Sequence, residues 1–197
     1  YLQQVDSENN YTVLLKPKDM EGWQPTNHKF KTMACRYKEF TFGEQLGMRR
    51  QLRKLAPNLV HFGMTQQPVL YRGRVVTTVH DLTTARFRNP SKNRIVFAFK
   101  QFFYKVVIKV AAHKSAAVIT PTEFVREDVA RFAGVNSRKI TVTYEGADKI
   151  SEPAQPLIVL EHKKFIMYVG RPNPHKNLNR LVEAFALIQS KHPDLYL

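Results

Sequence analysis

Two short stretches of the chain carry residue types at spacings that chemistry needs. The first is GRPNPHKN at residues 170–177, which joins a strand-like segment to an amphipathic helical one. The junction between a strand's carboxyl end and a helix start is where open α/β sheets bind ligands. A helix start offers unpaired N–H groups and a positive partial charge, to which Arg171 and Lys176 add full charges. Arginine supplies a planar fork for two oxygens and lysine a flexible point charge, so the pair suits an anionic group and would neutralise charge building on a diphosphate leaving group. The plainer alternative is a solvated basic turn. The second stretch is VVTTVHD at residues 75–81, which ends in His80 and Asp81. A histidine at the carboxyl edge of a parallel sheet is aimed at a cleft rather than into the core. A neutral imidazole there would hydrogen-bond a ligand hydroxyl or a backbone group, with Asp81 fixing its orientation. The alternative is a structural histidine that holds a loop.

The elements that must position these residues follow one another in alternation. Strand-like runs at 11–15, 59–62, 75–79, 117–120 and 140–144 are interleaved with helical periods near 42–56, 92–114 and 123–133. That order predicts an α/β fold, a doubly wound and mostly parallel sheet with helices on both faces. Most of the strands are continuous apolar or β-branched runs, as a sheet covered on both sides requires. Thr41 and Glu44 stand at capping-box spacing, and Met48, Leu52, Leu55 and Leu59 mark an apolar stripe opposite Arg49, Arg50, Arg53 and Lys54, before Pro57 ends the helix. Thr122 is placed to be an N-cap, Val125, Val129 and Phe132 to form the next stripe, and Gly134 to be the left-handed residue after it. Between Glu145 and Lys164 the period is lost and Gly146, Pro153 and Pro156 appear, which is linker chemistry.

The expected organisation is a first domain over 1–148, a linker over 149–163, and the first strand, loop and helix of a second domain over 164–197. The helix of that last piece is marked by Leu178, Leu181, Phe185 and Ile188. A single βαβ start cannot bury its own apolar face, so this piece is expected to be truncated, with free strand edges that favour self-association. A chain that opens on Tyr1 is likewise expected to have lost its natural start.

Composition narrows the partners. With 43% hydrophobic and 11% aromatic residues, the chain has the apolar surface that a globular protein needs to offset chain entropy. Its net charge of +15 favours phosphates, nucleic acid or an anionic membrane surface. Cys35 is the single cysteine, which excludes an internal disulfide and suits a buried, inert thiol in a reducing, cytoplasmic setting. No run reaches the roughly 18–20 apolar residues of a transmembrane helix. The segment 92–114 sets Ile95, Phe99, Phe102, Phe103, Val106 and Val110 on one broad face and Arg94, Lys105 and Lys109 on another. Packing of that face against the sheet is the first reading, and peripheral contact with an anionic bilayer the second.

The run FIMYVGRPNPHKNLNRLVEAF at 165–185 resembles the segment that opens the donor domain of the large family of retaining, two-domain GT-B glycosyltransferases (group 1, family 4 type), which includes many bacterial mannosyltransferases and glucosyltransferases. The resemblance extends back through LVHF at 59–62 followed by Pro68, VVTTVHD at 75–81, VITPTEF at 118–124 and KITVTYEGAD at 139–148. It implies a Rossmann-like first domain and a second Rossmann-like domain that binds a nucleoside-diphosphate sugar, with no metal or other cofactor required. It also implies roles for individual residues. Gly170, Arg171 and Lys176 match the contacts to the donor diphosphate, and His80 matches a histidine near the transferred sugar. Asp81, Glu145, Gly146 and Phe62 are candidate cleft or acceptor contacts, and the loop 62–68 is where the acceptor is expected to touch. Where the family commonly has Pro-Asn-Gly-Val-Asp, this chain has YEGAD at 144–148, which leaves Glu145 equally open to a cleft contact or a turn-holding role. The family's Gly-rich loop after the first strand and its Glu-x7-Glu pair have no counterpart here, so residues 1–197 alone are expected to be inactive.

The activity so implied is transfer of a hexosyl group, mannosyl as the nearest guess, to a glycan or lipid-linked acceptor with retention at the anomeric carbon. Positioning and charge stabilisation would be the protein's main task. A nucleic-acid-binding module is the competing class, motivated by the charge, but the basic residues are spread over several helix surfaces rather than gathered with aromatics on one face. Another GT-B-like enzyme, such as a nucleotide-sugar epimerase, accounts less well for the run at 165–185.

Overall fold

The computed structural model describes residues 1–38, 41–87, 93–153, 155 and 157–197, so Lys92 and Pro156 of the segments above lie outside the described residues. The chain divides into two compact units, one formed by Tyr1–Leu82 with Lys100–Tyr144 and the other by Thr83–Phe99 with Glu145–Leu197.

The first unit is α/β, and every strand pairing in it is parallel. A short helix α1 (Leu2–Val5) leads into β1 (Tyr11–Leu15), which pairs in register with β2 (Phe30–Ala34). After α2 (Arg49–Leu55) come β3 (Val60–Phe62) and β4 (Val75–Thr78). Next along the chain come the short α3 (Thr83–Arg86), which belongs to the second unit, and the long α4 (Arg94–Lys114), which belongs to the first unit from Lys100 onward; β5 (Ala117–Thr120), α5 (Glu123–Ala133) and β6 (Ile140–Val142) complete the first unit. The four strands β3-β4-β5-β6 lie side by side in chain order. Parallel neighbours need a crossover each, and the chain supplies α4 and α5 at two of those crossings.

Local chemistry sets the helix ends. Thr122 accepts the Val125 N–H at 3.2 Å and starts α5, and Gly134, at φ 72°, ends it with its N–H on the Ala130 carbonyl at 2.9 Å. Thr41 accepts the Glu44 N–H at 3.3 Å, but the Glu44 carboxylate is buried and takes the Gln66 amide at 3.1 and 3.0 Å. Residues 44–48 form a π-helical turn before α2, and Ala56, left-handed at φ 44°, closes α2 ahead of Pro57. The apolar stripe of α2 meets the sheet as its spacing predicts. Leu52 is buried with Phe62, Tyr71 and Val75, and Leu14, Met48 and Val60 pack around them, while Leu59 stays exposed. Cys35 is buried, as expected.

Helix α4 corrects one expectation. The broad aromatic face does not cover the sheet: Phe102 is 61%, Phe103 50%, Val106 41% and Val110 36% exposed, and Ile95 and Phe99 are exposed as well. Ile108, Ala111 and Ala112 on the other side are the buried residues. The physical reason is size, because small side chains let a helix backbone come close to its neighbours while phenylalanines hold it off. Among the described residues no helix is long and apolar enough to cross a membrane.

The second unit holds a two-stranded parallel sheet, β7 (Lys164–Phe165) with β8 (Leu195–Tyr196), and α6 (Leu178–Gln189). The strand expected over 165–169 is hydrogen-bonded only at its start, where the Ile166 N–H also reaches the Tyr196 carbonyl at 2.9 Å. Ile166, Met167, Tyr168 and Val169 are exposed. Two strands form too little ladder to order a third or fourth residue pair here. Leu178, Leu181 and Phe185 are the half-buried side of α6, with Val182 and Leu187 outward.

Candidate functional site

In the first unit the carboxyl edge of the four-stranded sheet gathers Gly63 after β3, His80 and Asp81 after β4, and Thr122 after β5. The His80 Nε2 stands 3.0 Å from the Gly63 carbonyl oxygen. A carbonyl only accepts, so Nε2 carries the proton in this contact, and in the neutral ring Nδ1 presents its lone pair. His80 and Asp81 are both exposed at this edge, and each has further interactions within the fold. Phe62 has a different place: it is 6% exposed and belongs to the core cluster with Leu52, Tyr71 and Val75. Its ring packs against Tyr71, which lies in the loop after β3.

That loop is anchored by groups the motifs did not single out. Gln67 is fully buried, and its Nε2 donates to the Thr77 Oγ1 at 2.9 Å. Thr77 Oγ1 lies 2.7 Å from Ser115 Oγ, which donates to the Ala111 carbonyl at 2.6 Å. The Ser115 proton is thus committed to Ala111, so Thr77 must donate to Ser115 and accept from Gln67. This chain of bonds ties the loop, the middle of β4 and the end of α4 together. Lys114 adds a second tie, donating to the carbonyls of Pro68, Val69 and Tyr71 at 3.0, 3.5 and 3.4 Å. Burial pushes its ammonium down to about 8, against the three carbonyls that favour the charged form. A Gln beside Pro at 67–68 and a Thr inside an apolar strand were the available signals, and neither has a period that reveals its partner.

In the second unit the loop 170–177 folds on its own backbone. Gly170 is at φ 150°, and a Cβ there would come within 2.8 Å of the Tyr168 hydroxyl. That hydroxyl donates to the Arg171 carbonyl at 3.0 Å, and the Asn173 N–H reaches the same carbonyl at 2.8 Å. A 3-10 turn over Pro174–Lys176 then leads to Asn177, left-handed at φ 54°, which precedes α6 without a side-chain cap. The His175 ring lies 5.2 Å from the Phe87 ring within the same unit. Arg171 and Lys176 are exposed, and among the described residues neither lies within ion-pair distance of a carboxylate. Lys176 directly precedes Asn177 at the uncapped start of α6, and Arg171 stands at the other end of the same loop. Glu145 and Gly146 are exposed and lie outside regular structure, with open space around the Gly146 Cα.

The comparisons with known proteins bear on the first of these places directly. The model of the family described as Glycosyltransferase Family 4 matches residues 14–149, more than half of the chain. The chain belongs to that family. The parallel α/β sheet of the first unit is the Rossmann-like architecture that such a domain takes. The matched span includes Phe62, His80, Asp81, Glu145 and Gly146 and stops before Arg171 and Lys176. No curated protein gives a significant match.

Proposed function

We propose that this family 4 chain serves a retaining glycosyltransferase activity, which moves a hexosyl group, mannosyl first among candidates, from a nucleoside-diphosphate sugar to a glycan or lipid-linked acceptor. In this reading Arg171 and Lys176 bind the donor diphosphate and take up the charge that develops as it leaves, with no metal required for that task. Gly170 lets the backbone turn beside the phosphates. His80 contacts the transferred sugar from the carboxyl edge of β4, its ring oriented by Gly63, and Asp81, Glu145 and Gly146 are further contacts to the sugar or the acceptor. The observation that carries the reading is the loop before α6, whose cations Arg171 and Lys176 have no carboxylate within ion-pair distance among the described residues, in a chain whose residues 14–149 match a sugar-transferring family.

An anionic membrane surface is the proposed partner of α4. Its outward phenylalanines are accompanied by Lys100, Lys105 and Lys109, and no Asp or Glu occurs between Asp81 and Glu123. Basic, aromatic helix faces of this kind lie at the headgroup boundary of bilayers.

The test of the donor site is calorimetric titration of the chain with GDP and UDP, with a random oligonucleotide as the competing ligand. Each of Arg171→Ala and Lys176→Ala is expected to weaken nucleoside diphosphate binding by roughly tenfold, the worth of one charge-assisted contact. Unchanged binding in both variants would remove the donor reading. Tighter, steeply salt-dependent binding of the oligonucleotide would restore the nucleic-acid class.

A further inference from the structure

Helix α2 and the segment before it enclose a groove that none of the roles above uses. Its volume is about 880 Å³, and among the described residues it is lined by Tyr37, Leu46, Gly47, Arg49, Arg50, Arg53 and Lys54. Four cations therefore share one helix face, opposite the Leu52 that anchors the helix to the core. None of the four lies within ion-pair distance of a carboxylate among the described residues. The only acidic residue between Thr41 and Val60, Glu44, is buried against Gln66 and is not part of the lining.

The groove has a fixed wall. Lys16 Nζ donates to the Tyr37 carbonyl, and the Tyr37 ring lies so close over Gly47 that a Cβ at position 47 would run into it. Gly47 falls inside the π-helical turn at 44–48, a kind of helix irregularity that recurs at functional sites. The absent side chain at 47 is what lets the aromatic ring close one side of a basic trough. A single phosphate needs far less room, whereas sites of roughly 300–1,000 Å³ hold ligands of several rings or groups. Arginine forks match phosphate oxygens two at a time, and an aromatic wall suits the apolar face of a sugar or lipid glycerol unit.

From this arrangement we infer that the α2 groove is a binding site for a ligand bearing two or more phosphate groups, held by Arg49, Arg50, Arg53 and Lys54 with Tyr37 as its wall. The site stands on the groove alone. That its ligand is the phosphate-bearing part of the acceptor is a further clause, and it rests on the function proposed above.

The test uses an Arg171→Ala/Lys176→Ala background, so that the donor loop contributes nothing and its failure or success stays separate. Tripolyphosphate is titrated by calorimetry at fixed ionic strength, and phosphatidylglycerol vesicles are assayed in parallel by co-sedimentation. Arg50→Gln/Arg53→Gln is compared with Lys105→Gln/Lys109→Gln, which removes the same charge from α4. Arg50, Arg53 and Lys109 are exposed and Lys105 is half-buried, and thermal melts check that each variant stays folded. The groove pair is expected to weaken tripolyphosphate binding roughly tenfold or more, and the α4 pair by less than about threefold. A loss confined to tripolyphosphate assigns a soluble phosphorylated ligand, and a loss on tripolyphosphate that extends to vesicles assigns lipid headgroups; a loss on vesicles alone, whose headgroups carry one phosphate each, would overturn the site. Equal losses from both pairs would show only the field of a cationic protein and overturn the site. So would no loss from the groove pair in either assay.

Discussion

Replacing Thr77 by valine keeps the shape of a fully buried side chain and removes one oxygen, and the structure fixes what that oxygen does. It accepts from Gln67 Nε2 at 2.9 Å and donates to Ser115 Oγ, 2.7 Å away. Gln67 is 0% exposed, and its Oε1 already has no partner among the described residues. Thr77→Val would therefore leave a whole amide group buried with neither end satisfied, while Ser115 would keep only its bond to Ala111. An orphaned buried amide costs roughly 1–3 kcal/mol and the lost bond to Ser115 about 1 kcal/mol more, so the expected loss is roughly 2–4 kcal/mol. For a chain of this length that corresponds to a fall in Tm of roughly 5–15 °C.

The diagnostic partner is Gln67→Met. It removes the donor and the unsatisfied oxygen together at nearly constant volume, and its cost is expected to be within about 1 kcal/mol. In the double variant Thr77→Val no longer strands an amide, so the double should cost less than the sum of the singles by about 1 kcal/mol or more. Urea unfolding followed by far-ultraviolet circular dichroism, with m-values compared across the four proteins, measures all of these quantities. A Thr77→Val protein within about 0.5 kcal/mol of the parent, or additive single effects, would refute the assigned direction of the hydrogen bonds.

Three other outcomes follow from the same structure. Lys114 titrates at about 8 in the fold and 10.5 as a free side chain, so both states are protonated below pH 8 and the unfolded chain binds more protons between 8 and 10.5. Stability of the parent relative to Lys114→Met should consequently rise with pH through that window, and a difference that is flat from pH 7 to 10.5 would contradict it. Phe102→Ser/Val106→Ser should weaken co-sedimentation with anionic vesicles at low salt several-fold or more without lowering Tm, because both residues are on the exposed side of α4; unchanged sedimentation would remove α4 from the membrane reading. Gly170→Val forces a Cβ toward the Tyr168 hydroxyl at a positive φ, so it should cost roughly 1–3 kcal/mol locally. On the proposed function its nucleoside diphosphate affinity should fall by about tenfold or more, and parent-like binding would show that the loop's geometry is immaterial.

How far the fold could be read in advance depended on whether a local rule applied. Helix α5 was legible almost to the residue, because Thr122 and Gly134 act on the backbone within one turn of themselves. Strand β5 was legible because four apolar or β-branched residues sit between helix signals. Strand β2 was not. Phe30 is buried, Thr32 and Ala34 are half-buried, and Lys31 and Met33 point outward, a weak alternation that only pairing with β1 makes a strand. The π-helical turn at 44–48 was hidden for a related reason, since one widened turn barely changes the spacing of Met48, Leu52 and Leu55. Helix α4 failed at the level of packing: its period was right, but the side that faces the core was decided by Ala111 and Ala112, and a moment weighted by hydrophobicity favours the phenylalanines.

The same distinction separates the residues proposed to act from those that hold them. Arg171, Lys176, His80 and Asp81 were conspicuous because charge and position at element ends are visible along the chain. The Gln67–Thr77–Ser115 chain was not, since its members are 10 and 38 residues apart and each looks ordinary where it stands. Yet Gln67 fixes the loop whose Gly63 carbonyl sets the proton on His80. A substitution at Thr77 should therefore act on His80 without touching it, through the loop rather than through charge. Nitrogen chemical shifts of His80, which differ between tautomers, would move in Thr77→Val if Gly63 is displaced and would stay fixed if the loop is held by Lys114 alone.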